Sequence, residues 1–319
     1  MTEAPSAAEV LARAGGENFP VAGFLFPREL RPHLMSVYGF ARLVDQLGDE
    51  VGDSPAERLR LLDWLRGEVD AVYRGSAPSH PLLRRLAWTI ERYAIPREPF
   101  DRLIDANRQD QTVTRYATFD DLRAYCDLSA NPVGELVLYL CRRATPERIA
   151  LSDATCTGLQ LVEFWQDLGE DAARGRVYVP QEDLARFGYD DDRLLGGIAD
   201  DDFRALMGFE AERTRGLLDA GRPLGRTLPG RIGMAVRMFT AGGVAALDDL
   251  SRRSFDTLHD NAHASRVRRA AVAARELMRG SQQGSHGGSR GVATRSANDA
   301  VADALASDAA RSDASTEKT

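Results

Sequence analysis

Two pairs of aspartates, each four residues apart in a segment of helical periodicity, constrain this chain more than any other feature. The stretch 160–180 reads QLVEFWQDLGEDAARGRVYVP and carries Asp167 and Asp171. In an α-helix, positions i and i+4 stack on one face. Extending that face toward the N-terminus adds Glu163 and Gln160, so one stripe presents an amide and three carboxylates. Its neighbours are apolar: Leu159, Leu161, Val162, Phe164, Trp165 and Leu168. Acids flanked in this way are expected to line a cavity. Like charges one turn apart destabilise a helix by roughly 0.2–0.5 kcal/mol per pair, and a cation reverses that penalty. Oxygen-only donors suit Mg²⁺, which is usually held by one or two carboxylates plus phosphate oxygens and water.

Residues 38–50, YGFARLVDQLGDE, repeat the arrangement. Tyr38, Arg42, Asp45 and Asp49 follow the spacing i, i+4, i+7, i+11 and share one face. One such pair is common on a solvated helix. Two, far apart in the chain and each with an apolar flank, point to opposite walls of a helical-bundle cavity. Val-Ile-Thr alternation is nearly absent, so the fold class expected is all-α, a single bundle. A cavity with two acid walls needs an anionic partner to bridge its metals, and diphosphate fits. Mg²⁺ there would act as a Lewis acid toward a leaving diphosphate, with Arg42, Arg174 and Arg176 adding contacts to its oxygens. The other product, an allylic cation, needs aromatic faces. Phe19, Phe24, Phe26, Tyr38, Phe40, Phe164, Trp165, Tyr178 and Phe239 are the candidates, each also an ordinary core residue.

The helices expected cover about 6–14, a long segment through Asp45, 54–73, 81–93, 96–109, 119–143, 147–170, 180–188, 201–220, 228–250 and 263–279. Ser54-Pro-Ala-Glu57 reads as a capping box. Pro132 and Gly134, inside SANPVG, predict a break in the 119–143 helix. Residues 1–16 form an N-terminal segment and 17–280 the domain. From Ser281 onward the chain is rich in Gly, Ser, Ala and Asp without an aromatic, and is expected to be a disordered tail. A net charge of −7 with no dominant basic patch disfavours nucleic acid. Cys126, Cys141 and Cys156 have no CxxC spacing and suit reduced thiols in a cytoplasmic protein. Residues 232–247 are too short and too interrupted by Arg237 to span a membrane, which leaves room for peripheral membrane contact. There is no nucleotide-binding glycine motif and no GxSxG elbow. His259 and His263 read as a solvated pair.

These residues resemble the squalene/phytoene synthase family of trans-isoprenyl diphosphate synthases. The landmarks are Tyr38-x3-Arg42-x2-Asp45-x3-Asp49, Tyr125 with Ser129-Ala-Asn-Pro-Val-Gly134, Gln160, and Asp167-x3-Asp171 followed by Gly175-Arg-Val-Tyr-Val-Pro180. Within the family, Glu17-Asn-Phe-Pro-Val and Phe164-Trp165-Gln166-Asp167 resemble the hopanoid-pathway branch HpnC. The resemblance implies an isoprenoid-synthase bundle in which Asp45, Asp49, Asp167, Asp171 and Glu163 hold Mg²⁺, or Mn²⁺ in its place. Tyr38, Arg42, Gln160, Phe164, Trp165, Arg176 and Tyr178 would contact an isoprenoid diphosphate. It also implies association with other hopanoid-pathway enzymes. The activity it implies is conversion of farnesyl-derived presqualene diphosphate to hydroxysqualene, without NADPH; since an amide both donates and accepts, Gln160 and Gln166 are the candidates to position the water. Squalene or phytoene synthesis, and a non-catalytic prenyl-diphosphate-binding subunit, are the alternatives. Gln46, Glu163 and Asn261 depart from the family pattern, where Asp, Asn and Arg are usual.

Overall fold

Prolines and short polar side chains set where most of the helices begin. In the computed structural model, which describes residues 4–12, 26–52 and 54–258, α1 spans Ala7–Ala12 and α2 spans Arg31–Asp45, with Pro32 in its first turn. A π turn, Gln46–Glu50, continues α2. Helix α3 is Pro55–Tyr73, its N-cap Ser54 accepting from the Glu57 amide. Helices α4, Pro81–Tyr93, and α5, Glu98–Gln109, each carry a proline in the first turn. Helix α6, Phe119–Ser129, opens with a full capping box between Thr118 and Asp121. There follow α7, Asn131–Leu140, α8, Pro146–Gln166, α9, Leu168–Ala173, α10, Gln181–Arg186, and α11, Asp191–Leu195. Helices α12, Asp201–Gly221, α13, Leu224–Thr227, and α14, Gly230–Arg252, complete the described chain. No strand occurs among the described residues, which hold one isolated parallel bridge, Arg115 to Val177.

Three expectations change in detail. The helix expected over 119–143 is two helices, α6 and α7, parted at Ala130 as Pro132 demands. The helix expected over 147–170 breaks at Asp167, whose backbone (φ −99°, ψ 11°) leaves the helical basin. The short helices α11 and α13 carry too few residues to show a period. The expected helix at 263–279, the tail, Phe19, Phe24, His259, Asn261 and His263 lie outside the described residues.

The bundle buries two apolar clusters. One joins α2 to α5 with α7 through Phe40, Leu43, Leu62, Leu83, Phe100 and Leu136. The other joins α6, α8, α12 and α14 through Leu161, Trp165, Phe203, Leu206 and Leu247. Helices α8 and α12 pack closely, and the Trp165 indole N–H donates to Thr214 Oγ1 at 2.8 Å across their interface. All three cysteines are free thiols. Among the described residues no helix is long and apolar enough to cross a membrane.

Candidate active site

A cavity of about 290 Å³ opens at the seam of the two clusters. Helix α2 and its π turn supply Ala41, Asp45 and Asp49; α5 supplies Leu103, Ala106 and Asn107; Asp110 follows α5. Tyr125, Ser129 and Val133 come from α6 and α7, Gln160 and Phe164 from α8, and Arg176 and Tyr178 from the segment after α9. The break at Ala130 sets Ser129 and Val133 in this wall, so the proline-induced bend shapes the cavity.

Both acid pairs straddle a helix irregularity. Asp45 ends the α-helical part of α2, and Asp49 sits in the π turn, closed by the Val51 amide donating to Gln46 O at 2.9 Å. Single π turns in helices are frequent at functional sites. Gly48 lets α5 approach this turn: a Cβ there would lie 2.1 Å from Asn107 Oδ1. Gln111 pins the turn, its Nε2 donating to Gly48 O and to Asn107 O, both at 2.9 Å. Asp167 and Asp171 flank the break between α8 and α9, yet the Asp171 amide still donates to Asp167 O at 2.9 Å.

After α9, Gly175 takes a left-handed conformation (φ 81°) that turns the chain. The chain then runs beside residues 114–116, with the Val177 amide donating to Thr114 O at 3.0 Å and the Gln181 amide to Tyr116 O at 2.9 Å. Successive side chains of an extended segment point to opposite sides. Val177 and Val179 are fully buried, and Arg176 and Tyr178 face the cavity. Arg176 Nη2 donates to Asp49 Oδ1 at 3.1 Å, joining the segment after the second acid pair to the first pair. Although burial opposes its charge, Arg176 is held cationic by Asp49, Tyr178 and Asp110. Arg42 approaches Asp45 at 3.6 Å and Glu50 at 3.9 Å. Arg174 is exposed and pairs with Glu170 at 2.6 Å.

The apolar side of the cavity is an aromatic stack. Phe164 and Tyr178 lie face to face, 3.8 Å between centroids and 6° between planes. Tyr116 and Tyr125 extend the cluster at 5.8 and 6.0 Å from Tyr178. The Tyr125 hydroxyl donates to Asp110 Oδ2 at 2.8 Å. Burial pushes the Asp110 carboxyl up to about 6, against the pull of Tyr125 and Arg176. Burial, then repulsion from Asp167, pushes Asp171 up to about 6 as well, with Arg174 and Arg176 opposing.

Of the residues singled out from sequence, Asp45, Asp49, Gln160, Phe164, Arg176 and Tyr178 line the cavity. Asp167 and Asp171 stand beside it, Asp171 close enough to feel Arg176. Tyr38 is buried and Arg42 mostly so, without lining it. Glu163 is exposed on α8, one turn before Asp167. Trp165, expected to contact the substrate, does not line this cavity: its ring is fully buried between α8 and α12, where the indole N–H donates to Thr214. Phe26 and Phe40 belong to the core, Phe239 is partly exposed, and Gln166 is buried away from the cavity. Asp110, Asn107, Tyr116 and Tyr125 are the residues that periodicity missed. One signal pointed to Asp110: it caps the C-terminus of α5, where a carboxylate opposes the helix dipole and needs another reason to be there.

The donor set fits a hard divalent cation. The acid pairs supply hard carboxylate oxygens, and the mutual repulsion of Asp167 and Asp171 would be relieved by such a cation. Among the described residues no three such groups converge tightly enough to hold an ion by themselves. Phosphate oxygens and water would complete the coordination.

The squalene/phytoene synthase family model matches residues 12–269. The squalene synthase HpnC from Alicyclobacillus acidocaldarius superposes with a TM-score of 0.74 at 40% identity, covering 78% of this chain and 93% of that one. The 15-cis-phytoene synthase of Synechococcus elongatus is 32% identical over 215 residues, 62% of this chain and 68% of its own. The hydroxysqualene synthase of Zymomonas mobilis is 35% identical over 175 residues, 54% of this chain and 57% of its own. The chain thus belongs to the squalene/phytoene synthase family and has that family's all-α isoprenoid-synthase fold.

Proposed function

We propose that this protein ionises presqualene diphosphate, formed from farnesyl diphosphate, and lets water capture the resulting cation to give hydroxysqualene. The observation that carries the reading is the mixed wall of the cavity. Phe164 and Tyr178 present stacked π faces, while Gln160, Ser129 and Asn107 bring polar groups into the same chamber. The hydroxysqualene synthase relative supports the choice of product, whereas the squalene synthase HpnC supports squalene as an alternative. The phytoene synthase relatives support another, phytoene from geranylgeranyl diphosphate.

The steps follow from the residues. The substrate diphosphate enters between the acid pairs and competes with Asp49 for Arg176, whose guanidinium matches phosphate oxygens better than a point charge would. Arg42 adds positive charge at the same end. Mg²⁺ held by Asp45, Asp49, Asp167 and Asp171, with the diphosphate oxygens, would neutralise charge building on the leaving group. The cyclopropylcarbinyl C–O bond breaks, diphosphate departs with the electron pair, and a cyclopropane C–C bond then opens to leave an allylic cation. The aromatic stack stabilises the cation, since cation–π attraction reaches about 2 kcal/mol when desolvated. Gln160 positions a water, because an amide both donates and accepts. Its oxygen bonds to the cationic carbon. Asp110 takes the released proton directly or through the Tyr125 hydroxyl. No hydride donor enters this balance, so NADPH is not required.

Diphosphate release from farnesyl and presqualene diphosphates tests the reading. Release should need Mg²⁺ and should be lost in Asp167→Asn. Release indifferent to EDTA, or intact in Asp167→Asn, would overturn it.

A further inference from the structure

The far end of α2 from the acids carries a surface that the cavity does not use. Trp88, on the outer face of α4, is 56% exposed, the most exposed large apolar side chain among the described residues. Its ring stacks on His33 near the start of α2, 4.4 Å between centroids. His33 Nδ1 lies 3.0 Å from Thr89 Oγ1, which fixes the base of the stack. Burial holds the His33 imidazole below its usual pKa, so it stays neutral at neutral pH. His33 and Asp45 are twelve residues apart on α2, about 18 Å along its axis.

Arginines surround the indole. Arg84 and Arg92 lie one turn before and one turn after it on α4, and Arg85 is beside Arg84; all three are exposed. Arg142, from the turn between α7 and α8, reaches the same end of α4. Its Nη2 donates to Arg92 O at 2.9 Å, and its guanidinium sits 5.1 Å from the Tyr93 ring centroid. Arginines elsewhere on the surface, among them Arg97, Arg108 and Arg193, are neutralised by aspartates. Arg84 and Arg142 instead donate to backbone carbonyls, and none of the four pairs with a carboxylate among the described residues. Glu91 is the acid nearest in sequence on this face. A chain of net charge −7 thus keeps four un-neutralised cations around one exposed indole.

We propose that this Trp88-centred face docks on an anionic lipid surface. Indole is favoured where an apolar medium meets a wet one, and basic side chains around it are attracted by anionic headgroups. The charge complementarity selects this occupant over an apolar protein groove, which would leave four buried guanidinium groups to neutralise. A nucleic acid fits less well, since the basic row spans only about two turns of one helix.

Co-sedimentation of the full chain with vesicles tests the proposal. Vesicles of equal parts phosphatidylglycerol and phosphatidylcholine should retain the protein, pure phosphatidylcholine should not, and added salt should release it. Each arginine removed should lower partitioning roughly fivefold, so Arg84→Gln/Arg85→Gln/Arg92→Gln should lose about a hundredfold. Brominated lipid should quench tryptophan emission in the parent chain, and that quenching should fall in Trp88→Phe, which keeps an aromatic partner for His33. Circular dichroism and diphosphate release in vesicle-free buffer should be unchanged in both variants. Equal retention by both vesicle types, or undiminished retention of the triple variant, would overturn the proposal. So would finding that the face binds single-stranded RNA in preference to vesicles. A stable dimer that the triple variant dissolves, with no vesicle binding in either chain, would likewise replace lipid with a second copy.

Discussion

Replacing Asp171 by asparagine should make the metal-free protein more stable while removing its response to magnesium and diphosphate. The Asp171 carboxyl moves from 3.8 to about 6 on folding, through burial and then the charge of Asp167. A shift of about two units corresponds to roughly 3 kcal/mol for a fully buried group. Asp171 is only partly buried, and solvent screening reduces this to about 1–2 kcal/mol. The sign follows from proton linkage. The folded carboxyl holds its proton more tightly than the unfolded one. The protein therefore loses stability as pH rises from about 4 to about 6, and the loss is complete above that window. At about pH 7.5, Asp171→Asn should regain about 1–2 kcal/mol, a rise in melting temperature of roughly 3–5 °C for a domain of this size. The difference should shrink as pH falls toward about 4. Magnesium with inorganic diphosphate should raise the melting temperature of the parent chain, since a ligand bound only by the folded state stabilises it, and should leave the variant unmoved. Differential scanning calorimetry at several pH values reads all of this. A variant that melts lower than the parent without metal, or that responds equally to magnesium and diphosphate, would refute the reasoning.

Three further substitutions separate cavity from scaffold. Tyr125→Phe removes the hydroxyl that donates to Asp110 and helps lower its pKa; turnover should fall at least about tenfold, at a stability loss of about 1 kcal/mol, and the acid limb of the pH–rate profile should move upward from about 6. Gly48→Ala drives a Cβ against Asn107; it should destabilise by about 1–3 kcal/mol and raise KM as Asn107 is pushed toward the chamber, both read by melting and steady-state kinetics. Trp165→Phe breaks the bond to Thr214; it should lower stability by about 1–3 kcal/mol and leave the product distribution unchanged, because the ring lies outside the cavity.

The acid pairs were legible because helix periodicity is fixed by the backbone. Any chain with Asp45 and Asp49, or Asp167 and Asp171, at that spacing puts each pair close together once it coils. Pro132 was equally legible, since its missing amide and its ring forbid a continuous helix whatever surrounds it. The π turn at Asp49 and the break at Asp167 were not, because both depend on what packs against the helix, and the approach of Asn107 to Gly48 is a tertiary fact. Tyr178 and Arg176 carried a resemblance but no periodicity of their own; their place comes from pairing beside residues 114–116, far off in sequence. Trp165 shows the opposite error. Next to cavity-lining Phe164 in sequence and in the same apolar cluster, it lies about 100° further round the helix and packs toward Thr214 of α12.

Product identification is the most direct measurement of the central claim, that the cation formed in this cavity is captured by water. The purified chain would be incubated with presqualene diphosphate, Mg²⁺ and ¹⁸O-water, without NADPH, and the extract analysed by mass spectrometry. Hydroxysqualene carrying the heavy oxygen is the expected result. Squalene formed only when NADPH is added, or phytoene from geranylgeranyl diphosphate with no turnover of presqualene diphosphate, would contradict it.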